Sequence, residues 1–151
     1  MSLYASWVHG NAVTVESPEN LTRVGHYGWG GDMAFIPGKA SWLHIPLPTP
    51  VIVGDQRSTV QKLFLMFMTD SCSIRQVHFY DGSSKIEELN NLNLAGEHRS
   101  SLDAQNTFHL SSPHTVVWGL GITFFVQADI GFDSNISTRL IVASAGGDFN
   151  A

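Results

Sequence analysis

The chain has 151 residues, 43% of them hydrophobic and 14% charged, and a formal net charge of -5 from 13 acidic and 8 basic side chains. That length supports one domain, residues 1–151, with a core burying roughly two-thirds of the unfolded surface, and the composition lies far from disorder. With no Lys/Arg cluster to grip phosphates, nucleic acid is not expected as a partner; with no run of 18 apolar residues, neither is membrane insertion.

Residues 4–9 and 12–16 alternate around Gly10-Asn11, a pair suited to a tight hairpin with positive φ. Ser17-Pro18-Glu19-Asn20 reads as a turn. The stretch 25–31, Gly-His-Tyr-Gly-Trp-Gly-Gly, is too rich in glycine for a helix and reads as a wide loop presenting Tyr27 and Trp29, or as a bulged strand. Residues 33–36 stop at Pro37-Gly38 and 41–47 resume an extended pattern. Pro46, Pro48 and Pro50 lack the N–H donor, which places this segment at a sheet edge or between sheets. Residues 51–53 lead into a Gly54-Asp55 turn. Residues 59–69 become apolar on both faces from Leu63 to Met68, as expected of a central strand covered on both sides, and the Asp70-Ser71 turn then fits a meander.

In 73–80, Ile74, Gln76, His78 and Tyr80 share one face while Arg75, Val77 and Phe79 share the other. Asp81-Gly82-Ser83-Ser84 is hairpin chemistry, and 85–89 is the return strand. The polar stretch 90–106 has no period and is the longest loop, with room for a single helical turn. Residues 107–110 form a short strand and Ser111-Ser112-Pro113 a turn. The longest alternating run, 114–129, puts Val116, Trp118, Leu120, Ile122, Phe124 and Val126 on a core face and Val117, Gly119, Gly121, Thr123, Phe125 and Gln127 on the other. Fully extended it would reach roughly 50 Å, against about 20 Å for a common strand, so it bends or crosses between sheets, with Gly119 and Gly121 as bending points. Residues 136–145 form the last strand, ending at Gly146-Gly147. About ten short strands and no long amphipathic helix predict an all-β fold, an antiparallel β-sandwich, jelly-roll-like, with little or no helix; immunoglobulin-like topology and a small closed barrel stay open.

Cys72 is the only cysteine, which excludes an internal disulfide and a CxxC site; lacking a base nearby in sequence, it reads as an inert thiol. The first ten residues lack a basic n-region ahead of an apolar run, so the expected localisation is cytoplasmic and the sequons at Asn20 and Asn135 are discounted. Seven histidines raise the question of a metal, yet neither H-x-H nor H-x-x-x-H occurs. No metal or cofactor is expected; the alternative is a three-histidine site from distant strands, His9, His44 and His78. Asp129-x-x-x-Asp133-x-Asn135 is the nearest approach to a calcium loop and lacks a closing glutamate.

Two segments echo each other, Ala5-Ser6-Trp7-Val8-His9 and Ala40-Ser41-Trp42-Leu43-His44, each placing Trp and His on one face of a strand. They read as a binding unit, or as two core strands with a buried Trp and a hydrogen-bonded His. Aromatic rings amid Gly, Asn, His and Asp suit a pyranose, whose apolar side stacks on a ring while polar neighbours take the hydroxyls. The leading expectation is a noncatalytic, lectin-like β-sandwich acting as a homo-oligomer and binding carbohydrate or a small apolar ligand through His26, Tyr27, Trp29, Trp7 and Trp42. A second is a small enzyme with an apolar pocket inside the sandwich or barrel, using His78, Tyr80 or His44 in acid-base chemistry. The third is a structural, self-assembling subunit.

Overall fold

A computed structural model of the chain describes residues 1–131 and 138–151. Asp133 and Asn135, the end of the calcium-like stretch and the second sequon, lie outside the described residues. The strands are β1 (Leu3–His9), β2 (Thr14–Val15), β3 (Leu21–Tyr27), β4 (Gly30–Phe35), β5 (Ala40–Pro46), β6 (Ile52–Val53), β7 (Gln56–Arg57), β8 (Thr59–Asp70), β9 (Cys72–Asp81), β10 (Ser84–Leu89), β11 (Glu97–His98), β12 (Thr107–Thr115), β13 (Leu120–Ala128) and β14 (Arg139–Asn150). A seven-stranded sheet runs β11-β8-β14-β4-β3, with β12 also on β8 and β1 also on β14; a five-stranded sheet runs β10-β9-β13-β5-β2; β6 and β7 form a separate ribbon. The order β4-β14-β8-β12 stands against β5-β13-β9-β10, and the chain passes from the first sheet to the second at β4 to β5, β8 to β9 and β12 to β13. That wrapping is the antiparallel, jelly-roll-like β-sandwich expected from the spacing of strands and turns.

Period-two alternation supplies the core. Leu63, Leu65 and Phe67 of β8 meet Val77 and Phe79 of β9 and Ile122, Phe124 and Val126 of β13, all buried. Each such side chain contributes about 1.5–3 kcal/mol relative to exposure. Phe67, Phe79, Phe124 and Phe149 are fully buried and fill the space between the sheets, so the interior pocket of the enzyme expectation is occupied by side chains.

Several local readings are corrected by contacts distant in sequence. β1 and β2 are not a hairpin: β1 pairs with β14 in one sheet and β2 with β5 in the other. The 3-10 turn Gly10–Ala12 carries the chain across, and Gly10 is there because a Cβ would sit 1.7 Å from the Val142 carbonyl oxygen. β8 and β9 are not a meander, since the Ser71 turn (φ 57°) changes sheets. In β9 the register with β13 shifts between Phe125 and Val126, so Ile74 turns into the core while Gln76, His78 and Tyr80 face outward. Loop 90–106 holds β11 and no helical turn. Asn106, fully buried, donates to the carbonyls of His98 and Ser101 and accepts from the Asp103 amide, replacing the helical pattern.

Ser111-Ser112-Pro113 is a bulge within β12 rather than a turn, and β14 runs on through Gly146-Gly147 to Asn150. The run 114–129 does cross between sheets. It breaks after Val116, Gly119 adopts φ 145°, and Trp118 is 77% exposed instead of in the core. The break is fixed by Asp81, whose buried carboxylate accepts the backbone N–H groups of Val117, Trp118 and Gly119 at 2.8, 2.8 and 3.0 Å and His114 Nε2 at 2.8 Å.

Candidate functional site

The outer face of the five-stranded sheet is where alternation leaves polar and aromatic side chains together. Across neighbouring strands Glu88 lies beside His78, His78 opposite Thr123, Thr123 opposite His44 and His44 opposite Thr14. One row along, Lys85 stands beside Tyr80, Tyr80 opposite Gly121 and Gly121 opposite Pro46. On the other side Gln76 lies opposite Phe125 and Phe125 opposite Trp42. Gly121 brings no side chain to the middle of this face, and a Cβ there would meet nothing closer than 4.0 Å. The result is an open groove of about 370 Å³ lined by Glu16, Trp42, His44, His78, Tyr80, Lys85 and Thr123.

Its side chains are held in place by one another. The Trp42 ring lies 5.0 Å from the His78 ring and 5.1 Å from Phe125, both tilted. His44 Nε2 faces Glu16 Oε1 at 3.3 Å and Nδ1 faces Thr123 Oγ1 at 2.8 Å. A carboxylate only accepts, so Nε2 carries the proton. Asn90 Oδ1 accepts from Gln76 Nε2 at 3.1 Å and from His78 Nε2 at 2.9 Å. Lys85 Nζ donates to Glu88 at 2.8 Å, which holds the glutamate below the usual carboxylate range.

Thr123, His44 and Glu16 follow the hydroxyl, imidazole, carboxylate order of a nucleophilic relay. However, β13 is central, so the amides beside Thr123 are spent on the ladders to β9 and β5 and none faces a developing oxyanion. Glycoside hydrolysis uses a pair of carboxyls across one bond, and among the described residues Glu16 is the one carboxyl that lines the groove.

The sequence model of a family of unknown function, DUF6623, matches residues 1–150. The chain belongs to that family. No curated protein matches the DUF6623 chain. Among solved structures it is similar to a carbohydrate-binding module, CBM36, in complex with calcium and xylotriose, at 11% identity and a TM-score of 0.40, covering 95% of this chain and 98% of that one. It is also similar to the insecticidal delta-endotoxin Cry8Ea1 of Bacillus thuringiensis, at 12% identity and a TM-score of 0.38, covering 84% of this chain and 21% of that one. No residue correspondence follows from likenesses this distant.

Of the side chains singled out in the DUF6623 sequence, Trp42, His44, His78 and Tyr80 come together in the groove. The others are elsewhere. Trp7 stacks on Phe64 at 5.1 Å on the outer face of the seven-stranded sheet. Tyr27 and Trp29 stack at 4.5 Å at the end of the β3–β4 hairpin, with His26 Nδ1 on the Asn11 carbonyl at 2.7 Å. The two Trp-His echoes are therefore not equivalent, one belonging to each sheet. The histidine trio does not converge either. His9 places Nε2 on the Gly28 carbonyl at 2.9 Å and accepts the Asn11 amide at Nδ1, and no cluster that could hold a metal ion occurs among the described residues. Cys72 is buried, its thiol pushed up to about 12 by desolvation. Among the described residues no helix is long and apolar enough to cross a membrane.

Three groove residues escaped the sequence reading. Lys85 had a signal, because a hairpin at 81–84 puts it opposite Tyr80. Thr123 lies on the outward side of the 114–129 alternation. Glu16 had no signal, since its place depends on the crossover that sets β2 beside β5.

Proposed function

We propose that this chain is a noncatalytic carbohydrate-binding β-sandwich whose site is the groove on the outer face of the five-stranded sheet. The observation that carries the reading is the convergence of Trp42 and Tyr80 with Glu16, His44, His78, Lys85 and Thr123 in one open groove. Rings supply apolar faces for a pyranose, and the carboxylate, imidazoles, ammonium and hydroxyl supply donors and acceptors for its hydroxyls. Hydrogen bonds among Glu16, His44 and Thr123, and those of His78 to Asn90 and Lys85 to Glu88, orient these groups before a ligand arrives, which lowers the ordering cost of binding.

The test is titration of neutral oligosaccharides followed by calorimetry, comparing the wild type with Trp42→Ala. The expected result is binding by the wild type and a loss of at least about tenfold in the variant, from removal of one stacking surface. Absence of binding across a broad glycan panel, or binding indifferent to Trp42→Ala, would overturn the assignment.

A further inference from the structure

On the other sheet, the β3–β4 hairpin carries aromatic rings that are immobilised but uncovered. Trp29 is 56% exposed and Tyr27 38%, and they stack 15° from parallel. Tyr27 lies over Gly25, where a Cβ would come within 2.2 Å of its ring. The Trp29 indole N–H donates to Asp32 Oδ2 at 3.0 Å. Packing alone explains a fixed ring when the ring is buried; here the ring is fixed through its N–H, and much of its surface stays in water.

Asp32 is the anchor. It is 1% exposed, and its two oxygens accept four bonds: from Trp29, from Arg23 Nη2 at 2.9 Å, and from Arg139 Nε and Nη2 at 3.0 and 2.6 Å. Four bonds use the whole acceptor capacity of a carboxylate, so Asp32 positions its partners and has nothing left for a ligand. Both guanidiniums keep further N–H groups, and their side chains are 40% and 42% exposed. Asp70 stands opposite Arg139 in the β8–β14 ladder and offsets part of its charge, and Arg99 is already paired with Glu97. Arg23, on the same strand as Tyr27, has no second carboxylate within ion-pair distance among the described residues. Arg23 also donates from Nη1 to the Asp32 carbonyl at 2.9 Å and keeps N–H groups beyond these bonds, so a cation with unused donors shares its Asp32 anchor with the exposed Trp29 ring, on a chain whose net charge is -5.

We infer that this hairpin face is a second binding site, for an acidic sugar residue: the pyranose stacks on Trp29 and its carboxylate is taken by Arg23. A planar guanidinium matches a carboxylate in two-point fashion, and a ring next to it supplies the apolar contact. The site is independent of the groove, since it lies on the other sheet and shares no residue with it.

The experiment uses the full chain and three probes: an oligogalacturonate, its methyl ester, and a neutral oligosaccharide of the same length. Binding is read by calorimetry, with the wild type, Arg23→Gln, Trp29→Ala and Trp42→Ala. The expected result is that the oligogalacturonate binds, that esterification weakens it at least about tenfold, and that Arg23→Gln and Trp29→Ala do the same while Trp42→Ala does not. The ester comparison needs no variant, so misfolding cannot mimic it. No binding of the acid form at millimolar concentration would overturn the inference, as would equal binding of acid and ester, or a loss confined to Trp42→Ala. If the groove reading alone is wrong, the neutral probe fails and the acid form still binds.

Discussion

Asp81→Asn tests the junction that carries the chain from β12 in one sheet to β13 in the other. The carboxylate is 3% exposed. Burial pushes its pKa up, but the hydrogen bonds from His114 and from the amides of Gly119, Trp118 and Val117 outweigh that and hold it at about 2, against an ordinary 3.8. At 1.36 kcal/mol per pH unit, the difference amounts to about 2 kcal/mol of folding free energy. Because the folded pKa is the lower one, this contribution is fully present above the unfolded value and disappears as pH falls through the folded value. Asparagine keeps the shape but turns an amide donor toward N–H groups that are themselves donors. One or two of them lose their acceptor, at about 1–3 kcal/mol each. Urea unfolding at neutral pH is therefore expected to show a loss of about 3–5 kcal/mol. The gap between wild type and variant should shrink by about 2 kcal/mol between about pH 5 and pH 2. A gap that does not change with pH, or no loss at neutral pH, would refute the account of how the crossover is held.

Two further outcomes follow from close approaches and burial. Gly146→Val would put its Cβ 2.4 Å from the Trp7 ring and 2.8 Å from the Ser6 carbonyl oxygen. It should cost about 2 kcal/mol or more and displace Trp7, visible as a lower urea midpoint and an altered near-ultraviolet circular dichroism band. Cys72, whose thiol is pushed up to about 12 by burial, should react with a thiol reagent at neutral pH only at the rate at which the chain opens, so adding urea below the transition should accelerate labelling.

Strand alternation made the sandwich legible, because period two separates core from surface without reference to partners. It failed where a distant contact decides. Gly10-Asn11 has hairpin composition, yet Gly10 is selected by the Val142 carbonyl, from a strand more than a hundred residues later. Gly146-Gly147 looks like a stop, yet Gly146 leaves room for Trp7. Trp118 sits in a run of perfect alternation, and only the buried Asp81 carboxylate, on another strand, reveals why the run is cut there. For the groove, the pairs Trp42-His44 and His78-Tyr80 were each legible as same-face neighbours. That β13 lies between their strands, presenting Thr123 and the bare Gly121, depends on strand order, which no local pattern encodes.

The two outer faces resolve the same problem differently, and the difference supports the groove as the proposed binding site. On the seven-stranded sheet, Phe64, Met66 and Ile141 point outward yet are 2%, 7% and 2% exposed. Part of that cover is local, Trp7 lying across Gly146 onto Phe64. Apolar side chains on an outer face need such a cover, and one made by the chain's own residues is explained by stability. On the five-stranded sheet the equivalent positions are His78, Thr123, His44, Tyr80 and Trp42; His44 bonds Thr123 and Glu16 across the strands, and His78 bonds Asn90. Folding alone would be served by any soluble residues there. A half-exposed polar contact such as His44 with Glu16 contributes about 1 kcal/mol or less, so stability does not account for an ordered polar network around two aromatic rings. The proposed recognition of a sugar does, since a ligand with its own ring faces and hydroxyls is what such a network complements.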